Sequence, residues 1–350
     1  MTRLDGNGIS PDFTFIDLFA GIGGFHYAMH DNGGNCVFAS EKDKFARITY
    51  ETNFKKISPE LFENPQLFNN DITQLDFGVL PDFDVLCGGF PCQPFSMAGQ
   101  KLGFEDTRGT LFFNISEIIR HKQKEGKPPK VILLENVKHF KHHNKGRTME
   151  TVRRTLEELL GYNFTYKVLN SRDFGLPQNR ARVFMVAWLP ELGPFFTFPE
   201  PVAHLPTKLG DILEMSVDSK YTISDNLWAS HQRRKREHIE RGNGFGFSLV
   251  TKDSEYTSTM SARYYKDGSE ILIAQEGKNP RKLTPREAAR LQGFPEEPDF
   301  VIPVSDVQAY KQFGNAVSVP VVRAIGAEIK RQLLNVERFE LTYSGDSATT

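Results

Sequence analysis

Three short stretches hold side chains that could do chemistry together. In GGFPCQPFS (88–96), Cys92 stands between Pro91 and the pair Gln93–Pro94, so a thiol is carried on a loop stiffened by prolines. A nucleophile gains from such fixed positioning. With an ordinary pKa of about 8.5, however, it needs a lowered pKa or a partner. LLENV (133–137) puts Glu135 at the end of an apolar run. A carboxyl in a half-buried cleft has its pKa pushed up and can donate a proton; taken alone, Glu135 would be a capping or surface carboxylate. QNRARVFMV (178–186) supplies Arg180 and Arg182. Two positions apart, they project to one side of an extended segment. Cys36 and Cys87, inside apolar runs, read as small core residues.

For these groups to meet, their elements must end at one edge. FTFIDLF (13–19), NCVFASE (35–41), FDVLCGG (83–89), KVILLENV (130–137) and RVFMVAWL (182–189) read as buried strands, with helical periodicity in 110–123 and 148–161. Strands alternating with helices predict a mostly parallel α/β sheet. In such sheets ligands sit outside the carboxyl ends of the strands, where Cys92 and Glu135 fall; Arg180 and Arg182, just before a strand, would converge on the same edge.

The same edge carries a glycine-rich turn. DLFAGIGG (17–24) takes a strand through glycines into a helix, a place where backbone can approach a ligand closely. It has G-x-G-G rather than the full dinucleotide fingerprint, so a plain structural turn stays open. Glu41, at the end of the second strand, suits ribose hydroxyls, and Asp71 in NNDIT suits an adenine amino group. No pyrophosphate loop follows, so adenosine without a diphosphate fits better than NAD; S-adenosylmethionine is such a ligand.

With 350 residues, 39% hydrophobic and 25% charged, the chain reads as a folded globular protein of about two domains. A net charge of -1 gives no global basic field, which leaves room for local patches. Three cysteines without a CxxC pair argue against a disulfide framework or a cysteine-rich zinc site and fit a reducing compartment. No run approaches a membrane span and no leader is apparent, so a cytoplasmic, membrane-free protein is expected.

These segments resemble, in order, the motif set of the DNA (cytosine-5) methyltransferases. DLFAGIGG is similar to their cofactor loop, GGFPCQPFS to the catalytic loop, LENV to the acid motif and QNRARVFMV to the arginine motif. LTPREAARLQGFP is similar to a structural motif, and QFGNAVSVPVV to the segment that completes the cofactor pocket. The resemblance runs from residue 13 to about 334. It implies a Rossmann-like S-adenosylmethionine-dependent methyltransferase domain (12–189 plus 310–336) and a smaller, mostly β or irregular target recognition domain with its hinge (190–309). A flexible arm (1–11) and a disordered tail (343–350) would flank them.

Carried over residue by residue, the resemblance implies that the Cys92 thiolate attacks carbon 6 of a cytosine. Glu135 protonates or hydrogen-bonds ring nitrogen 3, Arg182 binds the exocyclic oxygen and Arg180 organises the site. Phe19 would lie against adenine, Glu41 on the ribose and Asp71 on the adenine amino group. Gly21 and Gly23 would admit the methionine portion, Pro91, Leu111 and Asn315 would line the remaining wall, and Ala20, Gly24, Ile72 and Ala316 complete the cofactor set. S-adenosylhomocysteine would be the product, and no metal is called for. The target base is buried in a duplex and must be flipped out, with Gln93 and Ser96 as DNA-side contacts and GQKLGFEDTRG (99–109) as the rest of a moving loop.

In the recognition interval, HQRRKREHIERGNGFGF (231–247) is basic, with Arg233, Arg234 and Arg241 as phosphate contacts. Arg263, in SARYYKDGSEILI, is the expected guanine contact. These two stretches resemble the branch that acts on CCWGG or CCNGG-like sites. A monomer acting on double-stranded DNA, beside a restriction endonuclease for the same site, is the resulting expectation. A tRNA cytosine-5 methyltransferase and a non-catalytic DNA-binding relative stand as alternatives.

Overall fold

The computed structural model describes residues 10–91, 111–201, 207–244 and 246–345. Its centre is a seven-stranded sheet. In chain order the elements are β1 (Phe13–Leu18), α1 (Gly24–His30), β2 (Gly34–Ser40), α2 (Lys44–Phe54), α3 (Glu60–Glu63), β3 (Phe68–Asn69), β4 (Val85–Gly89), α4 (Leu111–Lys124), β5 (Val131–Val137), α5 (Arg147–Arg154), β6 (Asn163–Asn170) and β7 (Ala181–Trp188). The strand order is β3-β2-β1-β4-β5-β7-β6. The first five strands in that order pair in parallel, while β7 is antiparallel to both β5 and β6. Central strands covered on both faces need apolar residues on both. Phe15, Cys87, Leu133 and Phe184 accordingly feed one core, and Ile16, Leu86, Ile132 and Val183 the other. Cys36 and Cys87 are buried free thiols within the first.

Beyond residue 190 follow α6 (Asp225–Glu240) and a three-stranded sheet of β8 (Leu249–Val250), β9 (Leu272–Gln275) and β10 (Lys278–Arg281), ordered β10-β9-β8. Three helices close the chain: α7 (Pro285–Gln292), α8 (Asp306–Asn315) and α9 (Val319–Gly345). Thr284 and Glu287 form a capping box at the start of α7. The same Glu287 carboxylate, 0% exposed, also takes a two-pronged ion pair from Arg281 at 2.7 and 2.8 Å. One side chain therefore both caps α7 and ties it to β10. Helix α9 returns to α1, where Asn32 donates to the Arg323 carbonyl at 3.0 Å and Arg323 pairs with Asp31. It runs through Tyr343 to Gly345, past the point where sequence predicted a disordered tail.

Candidate active site

Strands β1 and β4 lie side by side, and their connections leave to opposite halves of the sheet. This is the switch point at which an open α/β sheet holds its ligand. A cleft of about 920 Å³ opens there. Its walls include Phe19, Ala20, Gly21, Gly24, Glu41, Asp71, Ile72, Pro91, Leu111, Asn315 and Ala316, together with Glu135, Arg180 and Arg182. Cys92, Gln93, Ser96 and the loop 99–109 lie outside the described residues. Cys92 is the next residue after Pro91 in the chain.

The turn after β1 is held in an unusual shape. Phe19 has φ 56 and Gly21 φ 55, a region that residues with a Cβ seldom occupy. Glu41 secures it: Gly21 N–H donates to Oε2 and Asp43 N–H to Oε1, each at 2.7 Å. Each carboxylate oxygen keeps a further acceptor site for a diol. Asp71 accepts from the Thr73 amide and hydroxyl, and Lys42 Nζ lies 2.7 Å from its other oxygen. Those bonds, Lys42 first, hold its pKa down to about 2. Gly23 was expected beside Gly21. It is not among the cleft-lining residues named above; a Cβ there would lie 2.0 Å from the Phe54 ring, and its φ is +84.

At the other end, Gly89 pairs with Glu135 across β4 and β5, and Val137 pairs with Arg182 across β5 and β7. Register alone therefore sets the acid between the loop leading to Cys92 and the arginine strand. A Cβ on Gly89 would lie 3.5 Å from Glu135 Oε2, so its absence leaves space over the carboxyl. Glu135 is 9% exposed, with Arg182 Nε 3.2 Å from its Oε1. Burial raises its pKa above the ordinary carboxyl value, only partly offset by Arg182 and then Arg180. Burial lowers the Arg182 pKa, against the pull of Glu135.

Arg180 is 2% exposed. Its guanidinium donates to the carbonyls of Met260 (2.9 Å), Gly314 (2.9 Å) and Ala316 (2.7 Å). Burial, then Arg182, pulls its pKa down to about 9. The side chain thus joins the start of β7, the segment before β9 and the end of α8 into one wall.

Sequence reasoning missed several residues of the cleft. Asn136, beside the acid, donates to the Phe90 carbonyl at 2.8 Å and so pins the start of the Cys92 loop to β5; its place in the ENV string was the available signal. Tyr265, Gln308, Lys311 and Gln312 also line the cleft and carried no local signal. Arg263, expected on a recognition loop, lines this same cleft. Arg233 and Arg234 lie on α6 and Arg241 caps it, none of them among the lining residues. Arg234 is already engaged by Asp267 (3.1 Å) and the His231 ring (2.6 Å).

Fold and cleft together define an S-adenosylmethionine-dependent methyltransferase. Residues 13–331 match the family of C-5 cytosine-specific DNA methylases. The chain is 54% identical over 321 residues to the type II methyltransferase M1.ScrFI of Lactococcus lactis subsp. cremoris (91% of this chain, 78% of that protein). It is 53% identical over 325 residues to M.NlaX of Neisseria lactamica (92% and 97%). Among solved structures, that of the S. pombe Dnmt2 methyltransferase shares the fold, with TM-score 0.72 and 24% identity over 93% of this chain and 99% of that one. The protein belongs to the C-5 cytosine-specific DNA methylases. It is a DNA (cytosine-5-)-methyltransferase that draws its methyl group from S-adenosylmethionine. No helix among the described residues is long and apolar enough to cross a membrane.

Proposed function

We propose that the protein modifies the internal cytosine of a short CCWGG or CCNGG-like duplex site, as the methyltransferase partner of a type II restriction system. The observation carrying the catalytic part is the buried Glu135–Arg182 pair, held by strand register beside the segment that leads into Cys92. The cofactor would be held by Phe19, Glu41, Asp71, Leu111 and Asn315. The free acceptor sites on Glu41, the charged Asp71 and the glycine turn fit an adenosine with a short zwitterionic tail. When bound, it supplies an electrophilic methyl group.

The chain's own residues do the rest. The Cys92 thiolate forms a bond to carbon 6, and the ring's electron pair shifts toward carbon 5. Glu135, whose pKa burial raises, donates to ring nitrogen 3. Arg182 holds both Glu135 and the exocyclic oxygen, while Arg180 fixes the surrounding backbone. Once carbon 5 carries the methyl group, a base takes its proton, the freed electron pair re-forms the ring's 5,6 double bond, and the carbon 6–sulfur bond breaks to return the Cys92 thiolate. Gln93 and Ser96 would meet DNA beside the flipped base, Arg233 and Arg241 would contact phosphates, and the recognition unit would span 190–309. Arg263, given its place in the cleft, would meet the target nucleotide's surroundings. A monomer in the cytoplasm suffices, since each strand can be modified in turn.

The test is transfer from labelled S-adenosylmethionine to duplex DNA, read by bisulfite sequencing. Methylcytosine at one site class is expected, and Cys92→Ser should abolish it while retaining cofactor binding. Full activity in Cys92→Ser, or transfer to tRNA alone, would overturn the proposal.

A further inference from the structure

The chain leaves β5 through VKHFKHHNKGR (137–147), which holds Lys138, Lys141, Lys145, Arg147 and three histidines and no acidic residue. The acids that follow are engaged elsewhere: Glu150 and Glu157 by Arg153, and Glu158 by Arg154. Among the described residues no carboxylate neutralises Lys138, Lys141 or Lys145. Lys138 and Lys145 are exposed and Lys141 half-buried. In a chain of net charge -1 this is a concentrated positive field.

The turn is also built, and it is built against the active site. Phe140, 0% exposed, meets Phe90 edge-on at 5.4 Å, and the Phe90 carbonyl is the one held by Asn136. His143 Nδ1 lies 2.7 Å from the Thr148 hydroxyl. Asn144, Lys145 and Gly146 follow one another with φ 51, 59 and 86. Two consecutive left-handed residues with side chains persist only where the surroundings impose them. The charges therefore sit on a braced turn whose first residue, Val137, lines the cleft together with Glu135.

We infer that this turn is a phosphate clamp for duplex DNA, in which Lys138, Lys141 and Lys145 grip the backbone near the flipped nucleotide independently of the recognition region. The inference rests on the reading of the chain as a DNA methyltransferase. A contact to phosphate alone has a distinct signature. It adds about 0.9 to the slope of log affinity against log salt for each charge neutralised, and it carries no sequence information.

The test uses the full chain carrying Lys138→Gln, Lys141→Gln and Lys145→Gln together, with Lys138→Gln alone as the milder variant. Binding to a duplex that the wild type methylates, and to an unrelated duplex, is measured from about 50 to 200 mM salt. The triple variant should lower the slope by about 2–3 on both duplexes and the single variant by about 1, with cofactor affinity and melting temperature unchanged. A wild-type slope in the triple variant overturns the clamp, as does a loss confined to one sequence or to tRNA. A wild type that methylates no duplex DNA would instead sink the reading on which the clamp rests.

Discussion

Replacing Arg180 by lysine tests how the two walls of the cleft are joined. The guanidinium bonds three carbonyls, at 2.9, 2.9 and 2.7 Å, from two separate segments. Hydrogen bonds to an ionised group contribute about 1.5–3 kcal/mol each. Lysine keeps the charge, but its compact ammonium cannot reproduce a planar fork. If it retains one bond and loses two, the cost is about 3–6 kcal/mol, a large part of the roughly 5–15 kcal/mol that holds a domain folded. Urea unfolding should show that loss, and titration should show weaker cofactor binding, because Asn315 lies between two of the tied carbonyls and Ala316 carries one of them. An Arg180→Lys protein within about 1 kcal/mol of wild type, with unchanged cofactor affinity, would refute the argument. So would an Arg180→Met protein more stable than Arg180→Lys, since shedding the buried charge would then outweigh the three bonds.

Three further outcomes follow from the same site. Glu135→Gln should lower kcat by about 10²–10⁴-fold with cofactor affinity little changed; a variant with half of wild-type activity would remove Glu135 from the chemistry. Because burial raises the Glu135 pKa, its protonated form persists to higher pH than in a free carboxyl. The wild-type rate should therefore be supported below that pKa and fall as pH rises through it. A descending limb that survives in Glu135→Gln would contradict the assignment. Gly314→Ala would place a Cβ 2.3 Å from Ala262 N and from Ser261 C, both backbone atoms unable to yield cheaply. Overpacking of this kind costs about 1–3 kcal/mol and should separate the 258–265 segment from the cleft, read as a lower melting temperature and a higher KM for DNA. Wild-type values for both would show that the segment moves freely.

Much of this protein was legible residue by residue. Buried strands announced themselves as unbroken apolar runs, because a sheet covered on both faces has no polar side to alternate with. The α7 start was legible from Thr284, Pro285 and Glu287, since a capping box is closed within one helical turn. Glu41, Asp71, Glu135, Arg180 and Arg182 could be assembled because each stands at a strand end: parallel strands bring their carboxyl ends together, and antiparallel β7 brings its start to the same edge. What the sequence did not contain was decided by packing. Strand β6 escaped notice because it is an edge strand whose residues are mostly half-buried, with no sharp period. Gly23 resembles a ligand glycine in sequence, and only the fold sets it against the Phe54 ring. The division of labour between the two arginines is likewise tertiary. Both point from one strand to one edge, but the carbonyls of Met260, Gly314 and Ala316 surround Arg180 and leave Arg182 for Glu135. Local sequence could determine which groups reach the cleft, because that depends on period and strand ends. Which group serves structure and which faces the reacting base depends on segments about 80 to 136 residues away, and only folding brings those to bear.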